Sequence, residues 1–132
     1  MERQSHMSYS DVLFLIVDDE PDMCWALQRI LEKEGLISKV ALTGQEALTL
    51  MRANGFHLAF LDAKLPDMEG LELAKRIRAI DPKTRVVLVS GYFYRDDMTV
   101  QKAFEDGLVS GFISKPFLND EIYRIIESIT GS

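Results

Sequence analysis

The feature that most constrains this chain is a repeated alternation of short apolar runs with helical stretches. The runs are Val12–Val17, Ile37–Leu42, Leu58–Leu61, Arg85–Val89 and Gly111–Ser114. They are short, mostly continuous in apolar character and rich in β-branched residues, which is the pattern of strands covered on both faces. Between them, apolar residues recur at helical spacing. Pro21 opens a helix carrying Met23, Leu27, Ile30 and Leu31. Thr43 or Gly44 opens a second with Ala47, Leu48 and Met51, ended by Asn54-Gly55. A third, from about Leu71 to Ala79, buries Leu73, Ala74, Ile77 and Ile80, and Pro82 blocks its extension. Asp97 to Asp106 reads as a weaker helix with Val100, Ala103 and Phe104 inward. Asn119 or Asp120 caps a last helix with Ile122, Ile125, Ile126 and Ile129 on one face. Strand then helix, five times over, with short connections, requires a parallel sheet with helices on both faces.

Composition narrows the function classes. With 132 residues, 47 % of them apolar, the chain suits one domain with one core. Acids outnumber bases 21 to 15, for a net charge of −6, which argues against direct nucleic-acid binding. Cys24 is the single cysteine, so neither an internal disulfide nor a thiolate zinc site is available. No apolar run approaches the ~20 residues of a membrane helix, and the start is too polar for a secretory signal. A cytoplasmic location is therefore expected. Residues 1–10 read as an expression-tag remnant and disordered leader, and 11–130 as the domain. His57 is then the only native histidine, which removes a multi-histidine metal site.

In an open parallel sheet the working residues lie beyond the carboxyl ends of the strands. Asp18 and Asp19 follow the first run, Asp62 the third, Ser90 the fourth and Lys115 the fifth, whereas the second contributes nothing comparable. Taken singly, the acid pair reads as a helix cap and Asp62 as a turn former. Taken together, three carboxylates, a hydroxyl and an ammonium converge on one rim. Crowded carboxylates call for a hard cation, and Mg²⁺ takes oxygen ligands. The lysine then serves a phosphate as a point charge, and metal, lysine and hydroxyl together neutralise a transferring phosphoryl group. One carboxylate acts as nucleophile, and Asp62, the single acid between the others, is the best candidate.

Those residues carry a resemblance. IVDDEP at Ile16–Pro21, LDAKLPDMEG at Leu61–Gly70, VSG at Val89–Gly91 and GFISKPF at Gly111–Phe117 make the chain from Asp11 to Ile129 similar to the receiver domain of two-component response regulators, of the chemotaxis-regulator type. The resemblance implies a flavodoxin-like α/β fold, a three-layer doubly wound sandwich with a five-stranded parallel sheet of order 2-1-3-4-5 and five helices. It implies Asp62 as phosphoacceptor, and Asp18 and Asp19 as the acidic pair that organises Mg²⁺ (or Mn²⁺), Asp19 more directly. The Lys64 backbone carbonyl completes the ligands. Lys115 is the phosphate contact, Ser90 and Phe112 are the switch pair, and the Lys115-Pro116 peptide is cis. The implied partner is a sensor histidine kinase or phosphotransfer protein. The surface of helix four, strand five and helix five then meets an effector domain or a second copy. Such a domain phosphorylates and dephosphorylates itself rather than turning over like a conventional enzyme.

Some residues depart from the expected pattern. Gly91 follows Ser90 where alanine is usual. Lys64, two residues after the acceptor, is expected to shield the phosphoryl group or pair with Glu20, and so to set the phosphate lifetime. Tyr92-Phe93-Tyr94 offers aromatics to the signalling face or to a local cover. Trp25 falls off the apolar stripe of its helix, exposed or covering the sheet edge. The competing readings are a phosphorylation-independent binding module, a flavin binder and a metal-dependent phosphatase. The acids after strand one disfavour the flavin, and the chain is short for a phosphatase cap.

Overall fold

In the first strand, β1 (Leu13–Val17), successive side chains point to opposite faces. Phe14 and Ile16 enter one apolar layer, and Leu15 and Val17 enter the other. The same division holds along β3 (Leu58–Asp62) and β4 (Arg85–Ser90), so the sheet is buried on both sides. The edges are β2 (Ile37–Ala41) and β5 (Gly111–Ser114). All pairings are parallel and the order is β2-β1-β3-β4-β5. The computed structural model describes residues 13–91 and 98–130, the last two without their side chains. The expectations placed on Val12, Tyr92-Phe93-Tyr94, Asp97, the leader and the Ile129 side chain lie outside those residues.

Helices α1 (Pro21–Lys33) and α5 (Asn119–Thr130) cover one face. Helices α2 (Gly44–Ala53), α3 (Gly70–Ile80) and α4 (Met98–Glu105) cover the other. Cys24, Leu27, Ile30 and Leu31 of α1 meet Phe14, Phe60 and Ile122, whereas Leu48, Leu73 and Ile77 meet Leu15, Leu61 and Leu88. Each fully buried side chain of this kind stabilises the fold by roughly 1.5–3 kcal/mol. The doubly wound, three-layer α/β architecture is the expected one.

Several details differ from the sequence reading. β3 and β4 each run one residue further, because Asp62 keeps ladder register with Val89 and Ser90 with Ser114. Asp62 and Ser90 are thus the last residues of rigid strands rather than the first of loops. β2 stops at Ala41, one residue before Leu42. On α1 it is Cys24, not Met23, that is fully buried. Ile80 and Phe104, expected inward, are 37 % and 39 % exposed, since each lies in the last turn of its helix and looks past the sheet. Asn119 is already helical. The N-terminal position before it belongs to Leu118, whose N–H donates to the Glu121 carboxylate at 2.9 Å while the Glu121 N–H donates back to the Leu118 carbonyl at 3.0 Å. That reciprocal pair is a capping box without the hydroxyl residue. Among the described residues no helix is long and apolar enough to cross a membrane.

Candidate functional site

Strand order sets the location. β1 and β3 are neighbours, but α1 leaves β1 for one face and α3 leaves β3 for the other. The crevice opened between their carboxyl ends is the switch point of a doubly wound sheet. Asp18 stands at one lip, Asp62 at the other, and Lys115 arrives from the end of β5.

Asp18 is buried and held from several sides. Its N–H donates to the Ala41 carbonyl at 3.1 Å, and its own carbonyl accepts from the Cys24 thiol at 3.3 Å. Its Oδ1 accepts from the Glu20 N–H at 2.9 Å, a local turn that fixes the carboxylate. Its Oδ2 accepts from the Lys115 ammonium at 2.7 Å. Asp19, next in sequence, is exposed. Asp62 is largely sheltered, its Oδ2 lying 3.7 Å from Lys115 Nζ and its Oδ1 3.5 Å from the Lys64 N–H. One carboxylate oxygen from each of Asp18, Asp19 and Asp62 lies within 4.8 Å of the others.

Lys115 is the counter-charge of the cluster. Glu20 joins it at 3.3 Å, so three carboxylates touch one ammonium. This corrects the expectation that Glu20 would turn to Lys64. The ammonium, anchored by buried Asp18, takes Glu20 as a second partner from the solvent side, and both Glu20 and Lys64 stay exposed. The Lys115 N–H donates to the Ser90 carbonyl at 2.8 Å, and the Lys115-Pro116 peptide is cis. Ser90 is buried at the end of β4, opposite Ser114, and Phe112 is half-buried on β5, opposite Leu88.

The electrostatics follow from this crowding. Burial raises the Asp62 carboxyl above its ordinary value of 3.8, the negative charge of Asp18 raises it further, and Lys115 only partly offsets both. Burial pulls the Lys115 ammonium down, but the hydrogen bond to Asp18 and the charges of Asp18 and Asp62 outweigh it, leaving the ammonium above 10.5. Burial and the Asp18 charge push the Cys24 thiol up to about 11, so it remains a neutral thiol. The donor set is therefore all oxygen, anionic and partly desolvated. It fits a hard divalent cation such as Mg²⁺ and offers nothing to a soft metal.

Fold and site together define a phosphoacceptor domain of the flavodoxin-like class, and comparison with known proteins agrees. The model of the response regulator receiver domain matches residues 14–127. The sporulation initiation phosphotransferase F of Bacillus subtilis is 36 % identical over 108 residues, covering 82 % of this chain and 85 % of that protein. The C4-dicarboxylate transport transcriptional regulatory protein DctD of Rhizobium meliloti is 34 % identical over 118 residues, covering 89 % of this chain but 25 % of that protein. Among solved structures, the response regulator TrrA of Thermotoga maritima, in complex with Mg²⁺ and BeF, superposes with a TM-score of 0.78 at 28 % identity, covering 89 % of this chain and 98 % of that one. The chain belongs to the response regulator receiver domain family. It is a phosphoacceptor domain of the two-component signalling type, which takes up and releases a phosphoryl group rather than turning over like a conventional enzyme. It spans most of the sporulation protein but a quarter to a half of several transcriptional regulators that it resembles.

Proposed function

We propose that residues 11–130 form the receiver unit and that Asp62 is its phosphoacceptor. The observation that carries this is the meeting of Asp18, Asp19, Asp62 and Lys115 at the switch point, with Asp62 raised on the end of a rigid strand. An Asp62 carboxylate oxygen attacks the phosphorus of a phosphohistidine presented by the partner. The P–N bond breaks, the imidazole leaves with a proton from solvent, and an acyl phosphate remains on Asp62. Water later attacks the same phosphorus and returns the carboxylate and inorganic phosphate.

Asp18, Asp19, Asp62 and the Lys64 carbonyl would hold the cation, which when bound neutralises charge on the phosphoryl oxygens. Lys115 is the protein's own contribution to that neutralisation. It now pairs chiefly with Asp18, and a phosphoryl group on Asp62 offers it oxygens with a greater charge. Ser90, at the end of the next strand, supplies a hydroxyl to the same group, and Phe112 follows it. The surface of α4, β5 and α5 thereby passes between two packings, which is a population shift that an effector domain or second copy reads. The net charge of −6 suits a protein partner rather than DNA, and the site's chemistry belongs in the cytoplasm, where kinase and nucleotide are found.

The test is incubation with a small-molecule phosphodonor and Mg²⁺. Wild type should gain one acid-stable, hydroxylamine-labile phosphoryl group, and Asp62→Asn none. Equal labelling of the Asn variant would move the acceptor elsewhere. No labelling of either protein would favour a phosphorylation-independent binding module.

A further inference from the structure

The loop that follows Asp62 is closed on itself. At its base the Gly70 N–H donates to the Ala63 carbonyl at 2.7 Å and the Leu65 N–H to the Met68 carbonyl at 3.0 Å, with Lys64 and Glu69 bridged in antiparallel fashion. Its tip is then fastened to a different element. Asp67 Oδ1 accepts from the Gly44 N–H at 2.8 Å, and Oδ2 accepts from the Gln45 N–H at 2.9 Å. These are the first amides of α2, which lack partners inside the helix, and an anion is favoured beside them. Thr43 caps the same helix from within by accepting from the Glu46 N–H at 3.1 Å. A second contact reinforces the fastening. Met68 packs so closely over Gly44 that a Cβ there would stand 2.5 Å from the Met68 sulfur.

With its own cap in place, α2 does not depend on an acid brought from another loop. The loop tip, among the described residues, is held against the start of α2 by Asp67, with Met68 packed beside it. Because the hairpin is hydrogen-bonded at its base, fixing Asp67 fixes the hairpin as a unit, and Lys64 lies on it. We propose that Asp67 is a positioning residue for the cation site. By clamping the loop to α2 it sets where the Lys64 carbonyl stands relative to Asp18, Asp19 and Asp62. The inference rests on the cation site described under Proposed function. Asp67 itself touches neither phosphoryl group nor metal. Through this clamp β2, whose end carries no site side chain, braces the rim by way of the helix that follows it.

The test is the Mg²⁺ dissociation constant of the whole chain, read by titration calorimetry alongside the melting temperature. Asp67→Ala and Asp67→Asn would be compared with wild type and with Glu72→Gln, a control on the exposed Glu72–Arg76 pair. Loss of a capping acceptor costs about 1 kcal/mol, so if most of it is coupled to the site, Mg²⁺ binding weakens about two- to fivefold. Both Asp67 variants should show that loss and the control should not. An unchanged dissociation constant with a lower melting temperature would reduce Asp67 to an ordinary cap and overturn the proposal. Asp67→Asn keeps the side-chain shape and gives the answer if the alanine variant fails to fold. A wild type that binds no Mg²⁺ would overturn the cation site itself, and this inference with it.

Discussion

At the scale of single residues, the site is a place where charge is stored at a cost. The Asp62 carboxyl titrates above 3.8 in the folded chain, first because burial disfavours its ionised form and then because Asp18 repels it. Between 3.8 and that raised value the native state binds more protons than the unfolded one, so stability falls as pH rises through the window. At neutral pH the ionised acceptor is a liability that a neutral isostere removes. Asp62→Asn is therefore expected to melt a few degrees above wild type at pH 7 in EDTA, and scanning calorimetry should see the gain shrink as the buffer is taken below the window. A melting temperature at or below wild type at pH 7 would mean that the Lys115 contact outweighs burial and repulsion. Mg²⁺ should reverse the order, because a cation that binds only the folded wild type stabilises it by mass action. Lys115 follows the same sign in a higher window: its raised value keeps the ammonium charged, so its contribution is fully present through neutral pH and is lost as pH rises above 10.5. The acids and the lysine were legible in the sequence because each stands at the end of a locally recognisable strand. The Glu20–Lys115 pair and the Asp67 clamp were not. Their partners lie 95 and 22–23 residues apart, and no local pattern links them.

At the scale of elements, each strand and helix was legible because its signal is local: a run of apolar residues, a helical period, a proline, a capping threonine. What the pattern lacks is rotation about the helix axis and the exact last residue. Cys24 in place of Met23, exposed Phe104 and exposed Ile80 all reflect how a helix lies on the sheet, which depends on neighbours distant in sequence. The join between β3 and α3 shows how tightly elements are set at the site. At Gly70, the first residue of α3, a Cβ would overlap the Asp62 backbone carbonyl. The absence of a side chain lets the helix start directly against the strand that carries the acceptor. Gly70→Ala should push α3 away, costing roughly 1–3 kcal/mol as overpacking does. Because the displaced atoms include the Asp62 backbone, phosphorylation should slow as well. Urea unfolding measures the first effect and phosphodonor labelling the second. A destabilised variant labelled at the wild-type rate would separate helix packing from acceptor geometry.

At the scale of the whole molecule, the question is where a change at the rim can be expressed. The core resists: Phe14, Phe60, Leu61, Leu73, Ile77 and Ile122 are sealed, and packed interiors shift between discrete arrangements rather than deform. Helix α4 is different. It is eight residues long and buries only Val100 and Ala103, while Met98 is 82 % and Phe104 39 % exposed. Two small or medium side chains hold it down, against four buried on α1. It also lies beside β5, which carries Phe112 and, one residue past its end, Lys115. A helix held by two buried side chains thus adjoins the strand that leads to Lys115, and low-stability elements are the ones that move in switching. Amide hydrogen exchange should therefore show α4 opening faster than α1 or α3 in the unliganded chain. Adding Mg²⁺ with beryllofluoride, which stands in for the phosphoryl group, should change protection mainly in α4 and β5. Sedimentation of the same samples asks whether the altered face recruits a second copy. Protection changes spread evenly over α1, α2 and α3 would instead mean that ligand binding tightens the whole fold. The α4–β5–α5 surface would then lose its claim to be the output.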